Sequence, residues 1–65
     1  MFNLGDMVKK ATNPSLSKGI GFVVRVKEYD TGMDIYDLFF VQWIDTNEQY
    51  AYEAKELTLV SRVLQ

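Results

Sequence analysis

Gly19-Ile20-Gly21-Phe22-Val23-Val24-Arg25-Val26 is the stretch on which the fold turns. Ile20, Phe22, Val24 and Val26 recur at period 2, so an extended chain points all four to one face and Arg25 and Lys27 to the other. This predicts a half-buried central strand of a small β-barrel, with those four residues inward. The glycines flanking Ile20 suit a place where the chain bends or passes close to another strand, because a Cβ there would clash or forbid positive φ. Glycine-rich approaches of this kind also suit phosphate or RNA contact, but beside the rest of the chain the structural role is preferred.

On the N-terminal side, Leu4-Gly5-Asp6 reads as a turn leading into a short strand that ends at Lys10, with Val8 inward and Lys9 outward. Residues 11–18 are polar and hold the only proline, which marks a loop. Its Leu16 is expected to fold back over one barrel mouth. On the C-terminal side the strand is expected to end near Glu28. A turn over 29–35 follows, with Gly32 supplying positive φ.

The return strand, residues 36–44, is dense in aromatic and β-branched side chains. Two registers are open to it. Phe39, Val41 and Trp43 form one face; Leu38, Phe40 and Ile44 form the other, interrupted by the polar Gln42. That interruption places the first set inward and leaves Phe40 and Ile44 outside. Asp45-Thr46-Asn47-Glu48 is a tight connection, residues 49–54 alternate again, residues 55–57 suggest a single helical or 3-10 turn, and residues 58–63 close as a strand. Five short strands at these intervals indicate one all-β domain over residues 1–65, an antiparallel barrel or sandwich.

Composition narrows the chemistry. A 65-residue chain buries only about 60% of its unfolded surface, so the margin of stability is thin. With no Cys and no His, disulfides, thiolate or imidazole metal sites and Cys or His nucleophiles are excluded. No P-loop or nucleophile elbow is present, no cofactor is expected, and the expectation is a non-enzyme. The N-terminus has no basic leader or apolar signal core, and no apolar run approaches the roughly 20 residues that span a bilayer. A soluble, cytoplasmic protein with no membrane partner is expected. Net charge is -2 but unevenly spread, +4 over residues 1–27 and -6 over residues 28–65. Interleaved strands of a barrel would let the two halves screen each other.

The order Gly5-Asp6-x-Val8, Gly19-x-Gly21-x-Val23-Val24, Val41-x-Trp43-x-Asp45, then Tyr52 and Leu57-x-x-Val60 resembles small SH3-like β-barrels of the KOW, Tudor and mind-bomb types, over nearly the whole chain. The resemblance implies a five-stranded antiparallel SH3-like barrel with one 3-10 turn before the last strand. Single-domain proteins of this type occur in bacteria and their phages, where the location would be the host cytoplasm. The sequence departs from the pattern in two places: the turn after the tryptophan strand lacks the usual glycine, and the hairpin over 29–35 looks extended.

Tudor-like barrels use aromatic cages or grooves, a role open here to Tyr36, Phe40, Trp43, Tyr50 and Tyr52, with Asp45 or Glu48 as the negative charge. Trp43 and Tyr52 are better read as core, since each ring fills roughly 150–250 Å² of a small interior. The remaining rings, with Ile44, make the expected protein-binding patch: Phe40, Ile44, Tyr50 and Tyr36. A protein partner is expected, with edge-strand pairing into a homodimer as a variant. The alternative, which the KOW resemblance invites, is a nucleic-acid-associated module using Lys9, Lys10, Lys18, Arg25 and Lys27, although the acidic balance speaks for solvated strand faces. Asp30, Asp34 and Asp37 match no calcium-loop spacing, and no metal is expected.

Overall fold

The computed structural model describes residues 2–15 and 18–63. Leu16, expected over a barrel mouth, lies outside them. Strands β1 (Met7–Lys10), β2 (Ile20–Asp30), β3 (Ile35–Trp43), β4 (Gln49–Tyr52) and β5 (Leu57–Ser61) follow in order, with a 3-10 turn, Ala54–Glu56, immediately before β5. Every pairing is antiparallel, in one sheet of order β4-β3-β2-β1-β5. The chain is therefore a small all-β domain. Among the described residues no helix is long and apolar enough to cross a membrane.

Residues directly opposite each other in an antiparallel ladder share a face, so the register decides what meets in the interior. Val8 faces Gly21, Val23 faces Val41, and Phe39 faces Tyr52. These bring together a buried cluster of Val8, Val23, Phe39, Val41, Trp43 and Leu57, with Phe2 and Tyr52 packed against it. Phe2 meets Phe39 edge-on, ring centres 5.3 Å apart. Burying an aliphatic or phenyl side chain contributes roughly 1.5–3 kcal/mol, so these few residues hold the domain. Phe39, Val41 and Trp43 point inward, as Gln42 suggested.

β2 corrects the expectation set by its alternating pattern. Val23 is inside at 1% exposure, while Phe22 and Val24 are exposed at 36% and 44%. Two causes combine. A Cβ on Gly21 would collide with Val41 Cγ1 and come within 2.8 Å of Trp43 Cε3, so Gly21 is the inward position that lets those side chains in. Then the register jumps between Val23 and Arg25, leaving Val24 as an extra, unpaired residue. After this bulge the parity flips, so Val26, opposite Phe39, is on the inner face yet still 39% exposed. Arg25 and Lys27 face outward as expected.

Lys9 is a second correction. It lies on the outer face but is covered, because the segment after β1 folds back and the carbonyl of Ser15 accepts from its Nζ at 3.2 Å. Asn13 pins that segment: its Oδ1 accepts from the Ser15 amide and its Nδ2 donates to the Lys18 carbonyl, both at 2.9 Å.

Asp6 ties the two ends of the chain together. Fully covered, it accepts from the Asn3 amide at 2.8 Å and, with its other oxygen, from the Val63 amide at 3.0 Å. These bonds, that to Asn3 first, hold its carboxyl below the ordinary value of 3.8 against the opposing effect of desolvation.

β2 and β3 are longer than their neighbours. β1 covers β2 only at Ile20, Gly21 and Phe22, and β4 covers β3 only from Phe39 to Gln42. Beyond, Lys27–Leu38, Glu28–Asp37, Tyr29–Tyr36 and Asp30–Ile35 pair with each other alone, forming a projecting two-stranded arm. The extension seen in the sequence is thus mostly strand, and the loop shrinks to residues 31–34. Thr31 Oγ1 accepts from the Asp34 amide at 3.1 Å and Gly32 supplies φ +83°.

Candidate functional site

The strands set out two aromatic surfaces on opposite faces of the sheet. Tyr50 pairs with Val41 and Tyr52 with Phe39, which sends both tyrosines to the inner face. Phe40 pairs with Ala51 and points outward. The expected patch is therefore divided. Tyr36, on the arm, and Phe40, in the body, both belong to the outer face, Ile44 stands exposed just past β3, and Tyr50 lies on the other side of the sheet. Period 2 alone puts Tyr50 and Tyr52 on one side, and that signal was available in the alternation of residues 49–52.

Tyr50 instead joins a groove of about 370 Å³ with Trp43, Tyr52, Ile20 and Lys10, rimmed by Asp45 and Glu48. Trp43 is both core and groove wall: buried to 8% exposure, it meets Tyr52 edge-on at 5.6 Å and donates its indole N–H to Tyr52 Oη at 3.1 Å. The bond satisfies a polar atom that burial would otherwise strand, and it fixes both rings. On the opposite wall the Lys10 ammonium lies 5.9 Å from the Tyr52 ring centre. Nothing in the sequence pattern pointed to Lys10 as part of an aromatic groove; it arrives there because it shares the inner face with Val8, one period earlier.

The rim is set by the turn after β3. Asn47 takes φ 58°, the left-handed conformation that a glycine would otherwise supply, which explains how the turn closes without one. Its Oδ1 accepts from Gln42 Nε2 at 2.9 Å. The turn carries Asp45 and Glu48 to the groove. Asp45 accepts from the Gly19 amide at 3.2 Å, joining the rim to the start of β2, where φ is +68° and a Cβ would meet Asn13 Nδ2 at 2.6 Å. Glu48 accepts from Tyr50 Oη at 2.7 Å. That bond, with the carboxylate charge beside it, pushes the Tyr50 phenol above its ordinary value of 10.0. Each carboxylate thus has one fixed bond and keeps further lone pairs for a ligand.

The outer face of β2 and β3, from Arg25–Phe40 out along the arm, is a ladder of rings and bases. Arg25 lies over Phe40 at 5.3 Å, Lys27 over Tyr29 at 5.2 Å, and Tyr29 stacks on Tyr36 at 5.8 Å and 19°. The five bases considered for nucleic acid do not converge. Arg25 and Lys27 share this ladder, Lys10 sits in the groove, Lys9 is covered by the segment 11–15, and Lys18 is exposed at the end of that loop. In the arm turn, Asp30 accepts from the Gly32 amide at 2.8 Å and Asp34 from the Ile35 amide at 3.1 Å. Among the described residues no group of three carboxylates converges as a metal site would require.

Compared with known proteins, the chain matches no family model, no curated protein and no solved structure.

Proposed function

We propose that the chain is a non-catalytic protein-interaction module of SH3-like type whose ligand lies across the Trp43–Tyr50–Tyr52 groove. One observation carries this: an open cleft of about 370 Å³ walled by three aromatic rings and rimmed by Asp45 and Glu48. A mostly apolar, preformed cleft with few polar groups is the usual form of a ligand site, and Tyr and Trp are the residues most often dominant in interface energetics. The strand order and the 3-10 turn support the SH3-like resemblance. The acidic rim favours a peptide segment that lays an apolar side chain on the rings and a Lys or Arg against Asp45 and Glu48. Both carboxylates already accept one bond, Asp45 from the Gly19 amide and Glu48 from the Tyr50 phenol, which holds them in place to meet a ligand's charge.

Peptides selected from a random library and titrated into isotope-labelled protein test the proposal. The Trp43 indole N–H and the amides of Glu48 and Tyr50 should shift, and Tyr50→Ala should weaken binding roughly tenfold or more, as loss of an aromatic anchor does. Parallel titrations with mixed-sequence RNA and DNA at low and physiological salt should leave the spectrum unchanged. Salt-sensitive shifts confined to Lys10, Lys18, Arg25 and Lys27 would overturn the proposal in favour of a nucleic-acid module.

A further inference from the structure

The projecting arm leaves one edge of β3 unpaired, and the backbone there is oriented to receive another strand. Trp43 donates to the Glu48 carbonyl and accepts from the Asn47 amide, both at 2.9 Å, so its main-chain groups point to the β4 side. Ile44 instead donates to the Ile20 carbonyl at 3.0 Å, on the β2 side. Alternation along an antiparallel strand then sends the N–H and C=O of Val41, Phe39, Asp37 and Ile35 toward β4. β4 serves Phe39 and Val41 but ends at Tyr52, opposite Phe39. It ends there because the Glu53 amide bonds Glu56 Oε1 at 3.0 Å and the chain turns into the 3-10 segment. The Asp37 amide and carbonyl and the Ile35 carbonyl thus face a lane in line with β4 in which, among the described residues, no strand pairs with them. The Ile35 amide is already taken by Asp34 Oδ1.

A cleft of about 290 Å³ opens at that point, lined by Tyr36, Asp37, Phe39, Glu53, Ala54 and Lys55. We propose that the 35–38 edge of β3 is a second docking site, distinct from the aromatic groove. Its occupant is an extended segment of a partner protein, alternating basic and apolar residues, which continues the line of β4. The faces specify the alternation. Residues of the incoming strand opposite Asp37 and Ile35 fall on the inner face, where Glu28 lies directly across from Asp37 and Asp30 across from Ile35. The Asp37–Glu28 pair sets two carboxylates opposite each other, which is destabilising, and a Lys or Arg beside Asp37 relieves this. At Ile35 the charge to be met is that of Asp30 alone. Residues opposite Leu38 and Tyr36 fall on the outer face, against Leu38 and the Tyr29–Tyr36 stack, where apolar side chains fit. The main chain supplies affinity and the alternating pockets supply selectivity, as in other strand-addition complexes. The same charges disfavour a second copy: its β3 edge would bring another Asp34 and Asp37, and its β2 edge another Glu28 and Asp30.

The test is an amide-resolved titration of the full chain with the capped peptide Val-Lys-Val-Lys-Val, with Val-Glu-Val-Glu-Val as control. The basic peptide should shift the amides of residues 35–38 and slow hydrogen exchange at Asp37, and added salt should weaken it; the acidic peptide should do neither. Asp37→Pro removes the edge N–H without breaking the β2 ladder and should weaken binding about tenfold. Asp37→Lys, which retains the strand, should transfer preference to the acidic peptide. Equal binding of both peptides, unchanged binding by Asp37→Pro, no shift at any peptide concentration, or shifts confined to the Trp43 indole would each overturn the proposal. So would a concentration-dependent dimer, seen by sedimentation without peptide, that protects residues 35–38. The Trp43 indole reports the groove separately, so failure here leaves the groove proposal standing.

Discussion

The body of the sheet and the projecting arm are built from the same two strands and hold together by different means. In the body, β2 and β3 bury Val23, Phe39, Val41 and Trp43 against β1, β5 and the N-terminal Phe2. In the arm the same strands hold no fully buried residue: Ile35 is 62% exposed, and Tyr29 and Leu38 are only half-buried. An isolated two-stranded ribbon is marginal in water, so the arm depends on its cross-strand pairs and on being continuous with the body. Strand character therefore arises from side-chain type and turn chemistry, whereas stability arises only where a second layer covers the strand.

The sharpest way to break this contrast is to truncate a ring in each region. Phe39→Ala should cost about 3–5 kcal/mol, comparable to the whole net stability of a domain this size, and should unfold it in urea titration. Gly21→Ala comes next. Its new Cβ meets Val41, the Gln42 carbonyl and Trp43, and overpacking of that kind costs about 1–3 kcal/mol.

Asp6 separates the regions by pH. Its folded pKa lies below the unfolded one, so its stabilisation is present above the unfolded value near 4 and disappears as pH falls through the folded value. Acid unfolding should therefore steepen below about pH 4 in the wild-type chain, and Asp6→Asn should flatten that part of the profile while lowering stability at neutral pH. Exchange protection at the arm amides should be low at every pH.

Smallest is Tyr36→Ala, which removes one half of the arm stack and should cost about 0.5–1.5 kcal/mol, with the body amides undisturbed. If Tyr36→Ala proved as damaging as Phe39→Ala, the arm would be part of the cooperative core and the distinction between the regions would fail.

Much of the architecture was legible in the sequence for reasons these regions make plain. In β3 one polar residue, Gln42, interrupts the outward set, which identifies Phe39, Val41 and Trp43 as core. β2 offers no such marker. Its apolar residues occupy both parities once Val23 is counted, and the bulge at Val24 exchanges the faces midway, something no periodicity reports. Gly21 was the available clue, because an inward glycine looks like a gap in the pattern while it makes room for Val41 and Trp43. The groove was half visible: Trp43, Tyr50, Tyr52, Asp45 and Glu48 were all candidates for an aromatic cage, but Trp43 and Tyr52 were read as core and Tyr50 was grouped with Phe40 across the sheet. Lys10 joined them only through the pairing of β1 with its neighbours, which depends on contacts far apart in sequence.

The unpaired Val24 carries one more implication. Every ladder pair on either side of it is complete, so a chain lacking that single residue would retain all of its partners: Val23 with Val41, and what is now Arg25 with Phe40. What it would lose is the local bend and extra twist that a bulge introduces. The pairing would be unchanged, and everything beyond the bulge, from the Arg25–Phe40 pair out to the arm, would run in a different direction. Strand length thus works as an aiming adjustment, in which one inserted valine sets the bearing of the 35–38 edge relative to the aromatic groove without altering the chemistry of either.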